Sequence, residues 1–199
     1  AKEASLDAVY KDSRELIVAN GSYQSATVNF EQTNKNCVAF FGNNNAKITV
    51  LPGFIASTED KKTTLLGRGG SDYSAAIYAA ALQAEELQIW TDVSGMFTAN
   101  PNIVKQAFPI PHISYQEAME LSHFGAKVIY PPTIQPVLEK EIPIAIKNTF
   151  SPEDVGTLIT QNTKDKKPVK GITYIENISL LTVEGSGMIG IPGVSKRLF

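Results

Sequence analysis

Apolar residues gather in six short runs, 16–19, 47–51, 63–66, 87–91, 143–147 and 178–183, each strand-sized and bounded by polar or turn-forming residues. Between the runs the apolar period lengthens. From about residue 73 to 87, Tyr73, Ile77, Ala80, Ala81 and Ala84 recur at helical spacing, and the alanines would let that helix lie close on a sheet. Ser114-Tyr115-Gln116-Glu117 has the form of a capping box, in which hydroxyl and carboxylate each satisfy a backbone N–H left free at a helix start. The helix it opens should stop near Gly125. A third helix, 134–140, follows the Pro131-Pro132-Thr133 turn. Strands alternating with helices predict an α/β domain on a parallel or mixed sheet. From Gln161 to Lys170 the chain turns polar and reads as a linker.

Composition narrows the partners. With 199 residues, 43% hydrophobic and 19% charged, the chain can bury one good core, or one domain plus a piece of another. A net charge of −2 gives no reason to expect nucleic acid or an anionic membrane as partner. No apolar run approaches the roughly 18 to 20 residues of a membrane span, and no charged segment leading into an apolar one marks a secretory signal. Cys37 is the single cysteine, so it cannot form an internal disulfide and reads as a buried thiol. These features fit a cytoplasmic protein. A first residue other than methionine points to a segment of something longer.

The candidate chemistry concentrates at Gly67-Arg68-Gly69-Gly70-Ser71-Asp72, where an apolar run gives way to the alanine-rich helix. Three glycines let a backbone approach a ligand closely, and a helix start directs unpaired N–H groups and a positive dipole end at whatever lies above it. Two familiar nucleotide loops are excluded. A dinucleotide fingerprint needs glycine where Asp72 stands, and a Walker loop needs Gly-Lys followed by Ser or Thr, which occurs nowhere in the chain. Taken alone, the motif is equally well a tight strand-to-helix turn capped by Ser71 or Asp72. His112 and His123 have no metal-ligand company, so no metal site is expected.

Downstream segments decide between these readings. Trp90-Thr91-Asp92-Val93-Ser94-Gly95 and then Phe124-Gly125-Ala126-Lys127-Val128 follow the glycine motif, and together the three resemble the aspartate kinases of the amino acid kinase superfamily. Residues 114–134 and 144–159 are similar to the family's second half. Val169-Lys170-Gly171-Ile172 and the segment 183–199 resemble the start of the appended ACT regulatory domain. Within the family the wording is nearest to the aspartokinase part of the threonine-sensitive bifunctional aspartokinase–homoserine dehydrogenases.

The resemblance implies a three-layer α/β sandwich with a mainly parallel sheet, the C-terminal portion of the amino acid kinase fold, followed by the start of an α+β ACT domain. It divides the chain into a partial kinase domain, 1–161, a linker, 162–171, and the beginning of the ACT domain, 172–199. The implied reaction moves the γ-phosphoryl group of ATP to the side-chain carboxylate of L-aspartate, giving 4-phospho-L-aspartate on the way to threonine, methionine and lysine. Mg2+ would arrive with the nucleotide. Such chemistry asks a protein mainly for positioning and charge neutralisation.

By the same resemblance Arg68 would pair with the α-carboxylate of aspartate. Asp72 would hold a catalytic lysine or the substrate amino group, and Ser71 would add hydroxyl and N–H contacts. Thr91 and Asp92 would meet the nucleotide, Phe97 would stack near adenine, and Lys127 with Val128 would reach the phosphates. Blander readings stand beside these: a surface arginine, helix caps, a turn opened by Asp92, a solvated lysine, and core packing for Phe97. Two positions depart from the family pattern. Asn102 stands where an arginine is usual, which implies weaker ATP binding, and Tyr130 replaces a frequent histidine with no evident consequence.

The Lys-Phe-Gly-Gly-Thr type motif of the family is missing from the 199 residues, so a fragment unable to turn over is expected. Its strand 178–183, short of partners, would be prone to edge pairing. Threonine or lysine would be the effector, and ACT domains would join copies of the full-length protein into a homo-oligomer. A non-catalytic nucleotide- or amino-acid-binding module, or a related kinase with another acceptor, is the alternative.

Overall fold

The computed structural model describes residues 5–22, 26–125, 128–130, 134–163, 165 and 167–179. Its largest sheet is built from β5 (Leu87–Thr91), β6 (His112–Ser114), β7 (Ile144–Asn148) and β8 (Thr157–Thr160), in the order β5-β7-β8-β6. β5 pairs β7 in parallel and β6 pairs β8 in parallel, while β7 and β8 run antiparallel. With neighbours on both edges, β7 buries Ile144, Ala145 and Ile146 in succession, as a central strand does, whereas β5 alternates buried and exposed residues. Two smaller pairs complete the sheets: β1 (Ala8–Tyr10) parallel to β2 (Ile48–Val50), and the hairpin of β3 (Ile55–Ser57) with β4 (Thr63–Leu65). The expected α/β fold with mainly parallel strands is what forms.

Among the described residues four helices pack on these strands: α1 (Phe30–Gly42), α2 (Gly70–Leu82), α3 (Tyr115–His123) and α4 (Gln135–Leu138). α2 joins two cores. Its Ala76 and Ala79 pack with Ile89, Ile113, Ile144, Ile146 and Ile159 of the large sheet, and its Ile77 and Tyr78 pack with Leu16, Ile17, Cys37 and Ala56. Each fully buried Ile or Leu contributes about 1.5–3 kcal/mol over an exposed one, so α2 is fixed from both sides. Cys37 is buried, and burial pushes its thiol up to about 11.

Several expected bounds shift. α2 starts three residues earlier than its apolar period suggests and ends at Leu82, because Leu87 belongs to β5. The run 16–19 forms no strand. Ser13–Glu15 is a turn of 3-10 helix, and only residues 17–19 reach β3, through Ala19 N–H to Ser57 O and Ser57 N–H to Ile17 O. Residues 178 and 179 carry no strand, and 180–183 lie outside the described residues. α3 begins on the capping box read from sequence, Ser114 with Glu117. No helix among the described residues is long and apolar enough to cross a membrane.

Candidate active site

The glycine motif forms a corner between β4 and α2. Gly69 is the N-cap of α2 at φ 68°, a left-handed conformation that costs a residue with a Cβ. It offers no side-chain cap, so neither Ser71 nor Asp72 caps the helix: they are the second and third residues inside it. The loop before β3 presses on this corner. Phe54 N–H donates to Ser74 Oγ at 2.8 Å, Leu66 N–H donates to Phe54 O at 3.0 Å, and a Cβ on Gly70 would fall 2.6 Å from the Phe54 ring.

Three polar side chains are thereby left facing outward. Arg68 and Ser71 are exposed and Asp72 is half-buried. Among the described residues no hydrogen bond or ion pair engages Asp72, and burial pushes its carboxyl above the ordinary range. The Arg68 guanidinium lies over the ring of Tyr130, 5.3 Å from its centroid, at cation–π distance. Tyr130 thus has a consequence that its sequence did not disclose: it steadies the arginine of the corner.

The second feature is a cleft of about 580 Å³ at the carboxyl end of β5. Thr91, Asp92, Phe97, Asn102 and Val128 line it, five of the six residues assigned to the nucleotide from the sequence. Lys127, the sixth, lies outside the described residues. Thr91 is the last residue of β5, where open α/β sheets leave room for ligands. Its neighbour Trp90 points to the other face of the strand, with Lys147 Nζ 5.5 Å from the ring centroid. Tyr130 is two residues beyond Val128, so the segment after α3 borders the cleft at one point and carries the stacked Arg68 at another.

Sequence reasoning missed one wall of the cleft and two residues that support it from outside the lining. Residues 172–177 form one wall, anchored by Ile172 N–H to Thr98 O at 2.8 Å and by Lys170 Nζ on both carboxylate oxygens of Glu117, at 2.8 and 3.0 Å. Ser94 is held from two directions, accepting from Asn148 Nδ2 at 2.9 Å and donating to Asp154. Thr157 lies beneath the loop, 1% exposed and hydrogen-bonded to Met96 and Ile110. The serine, asparagine and aspartate of turns carry no spacing signal, and a threonine opening a strand reads as β-propensity alone. Asn102 N–H bonds back to the Asn100 side chain at 2.9 Å, which shapes the tip of the loop. No group of three His, Cys, Asp or Glu that could hold a metal ion occurs among the described residues.

Comparison with known proteins decides the family. Residues 3–148 match the amino acid kinase family. The chain belongs to that family. A bifunctional aspartokinase/homoserine dehydrogenase 1 of Arabidopsis thaliana, chloroplastic, is 41% identical over 205 residues, which is 100% of this amino acid kinase chain and 22% of that protein. The bifunctional aspartokinase/homoserine dehydrogenase of Haemophilus influenzae is 45% identical, over 92% of the chain and 22% of its own length. The chain thus spans about a fifth of the curated relatives it matches. E. coli aspartokinase III, in complex with aspartate and ADP, superposes with a TM-score of 0.76 at 35% identity, over 82% of this chain and 37% of its own.

Proposed function

We propose that this chain is part of an aspartokinase, carrying the nucleotide cleft and the aspartate-recognition corner for transfer of the ATP γ-phosphoryl group to the side-chain carboxylate of L-aspartate. One observation carries the reading. Residues from three separated segments, Thr91 and Asp92, Phe97 and Asn102, and Val128, line a single cleft, and the arginine of the glycine corner stacks on Tyr130 just beyond Val128. A nucleotide in the cleft would present its phosphates toward a corner that offers a helix N-terminus and, without partners of opposite charge among the described residues, a guanidinium and a carboxylate. The E. coli neighbour, solved with both aspartate and ADP, supports a site that takes the two molecules together.

The roles follow from the chemistry of each group. Arg68 would grip the α-carboxylate through two parallel N–H bonds. Asp72, ionised against its desolvation, would hold the substrate ammonium or a lysine, and Ser71 would add its hydroxyl. Phe97 would stack on the base while Thr91, Asp92, Asn102 and Lys127 address ribose and phosphates. Mg2+ would enter on the phosphate oxygens, and the Asp92 carboxylate is a hard donor suited to it.

The finer assignments are the partial kinase domain 1–161, the linker 162–171 and the ACT start 172–199. Threonine feedback, a homo-oligomer of the whole protein and a cytoplasmic setting complete the proposal. The chain alone would at most bind nucleotide weakly, without turnover.

The test is aspartyl hydroxamate formation by the full-length protein that carries this chain. Arg68→Ala should raise the aspartate KM about 10- to 100-fold with the ATP KM little changed. An Arg68→Ala enzyme with an unchanged aspartate KM would remove the corner from the substrate site. Full-length protein that forms no hydroxamate would overturn the kinase reading, leaving a non-catalytic binding module.

A further inference from the structure

We infer that Thr157 is a positioning residue for the nucleotide cleft, acting through an opened hydrogen-bond ladder; the inference rests on the nucleotide reading of that cleft. The cleft residues Phe97, Asn100 and Asn102 ride on a ribbon whose limbs run outward from Met96 and back to Ile110. In an antiparallel ribbon, directly opposed residues of a bonded pair exchange two N–H to O=C bonds. Here the Met96–Ile110 rung has only one of them, Ile110 N–H to Met96 O at 2.7 Å.

The other is taken by a side chain. Met96 N–H donates to Thr157 Oγ1 at 2.8 Å, and Thr157 Oγ1 donates to Ile110 O at 2.7 Å. The hydroxyl is inserted into the rung, and it takes the place of the second backbone bond while satisfying both backbone groups. Thr157 can do this because it begins β8, where Ile146 opposes it, and is 1% exposed. The chain above it makes room: a Cβ on Gly95, whose φ is +110°, would fall 2.3 Å from Thr157 Oγ1.

The next rung is opened too. Thr98 N–H still reaches Phe108 O at 3.0 Å, but Phe108 N–H turns to Thr98 Oγ1 at 3.3 Å, and Thr98 O accepts Ile172 N–H from the cleft's far wall. Each rung therefore keeps one backbone bond, on either side of the paired Phe97 and Pro109, while its second bond is diverted, to the Thr157 hydroxyl at the base and to the Thr98 side chain and Ile172 N–H above it. A ribbon bonded on one side only presents Phe97 and the Asn100–Asn102 tip across the cleft, where a full ladder would draw the limbs together. Val at 157 would fill the hydroxyl's space and leave one buried N–H and one buried C=O unsatisfied.

The experiment uses the full 199-residue chain with magnesium-ATP as probe, measuring its dissociation constant by calorimetry and Met96 amide exchange by NMR. Thr157→Val should weaken ATP about tenfold and expose the Met96 amide, while Thr157→Ser should stay within about twofold of the wild type in both. Ile17→Val, in the other core, should lower Tm without moving ATP affinity. If Thr157→Val fails to fold, Thr157→Ala carries the same expectation. A folded Val or Ala variant with wild-type affinity, or one with a protected Met96 amide, overturns the inference, and so does a Ser variant as weak as Val. If wild-type chain binds no ATP, the nucleotide reading fails; the Met96 amide then decides whether Thr157 sets the ribbon.

Discussion

Asp72 carries an electrostatic cost that no partner among the described residues relieves. Because burial raises its folded-state pKa, the native state binds more protons than the unfolded one between the two values, so stability falls as pH rises through that window. At neutral pH the ionised carboxylate is held at a penalty. Asp72→Asn should therefore raise Tm near pH 7, and the gain should shrink as pH falls below the ordinary carboxylate range; an equal Tm at pH 7 would show that the cost is not there. The same variant should lose aspartate binding in the full-length protein, the pairing expected where a site is kept strained for use. Asn102 offers a prediction of opposite sign. An arginine at that cleft position would supply the charge that an amide lacks, so Asn102→Arg should tighten ATP about tenfold, and an unchanged dissociation constant would sink this. Arg68, Asp72 and the cleft residues were legible as sequence because a distinctive glycine corner and two short motifs frame them. Tyr130 and Thr157 were not, since a ring under a guanidinium and a hydroxyl inside a ladder are made by residues far apart in the chain.

Among the elements, the wall of the cleft is held by an ion pair as well as by the Ile172–Thr98 hydrogen bond. Lys170 is 7% exposed at its side chain, and Glu117 both receives it and closes the capping box of α3. Burial pushes the Glu117 carboxyl up, but the hydrogen bonds from Lys170 and Ser114 outweigh it and leave the group below its ordinary value. A depressed carboxylate contributes stability that is present above the unfolded pKa and lost as pH falls through the folded one. Lys170→Met should hence free the segment from 167 to 177, and limited proteolysis there should be several-fold faster at neutral pH; equal cleavage rates would detach the pair from this role. α2 and α3 could be read in advance because alanine periodicity and a capping box are local signals. α1 could not: of its thirteen residues only Thr33 and Cys37 are buried, with Phe40 and Phe41 partly buried near its end, so its apolar period is weak. Its Asn29 cap, which accepts Gln32 N–H, was the available signal. β6 and β8 are three and four residues long and take their form from their neighbours.

At the scale of the whole molecule, two cores meet on α2, so the corner that opens this helix is braced by the large sheet on one side and by α1 and β3 on the other. The α/β class and the parallel pairing followed from strands alternating with helices. The antiparallel β7–β8 pair did not, since the short 149–156 connection between them is a return rather than a crossover. Trp90 is the single tryptophan, half exposed, one residue from Thr91 and beneath the Lys147 ammonium. Its indole lies on the face of β5 turned away from Thr91, so its emission registers the local field and packing on that side of the large sheet. The protein thus contains its own optical gauge, one that needs no dye to follow unfolding of the large sheet in the chain and its variants.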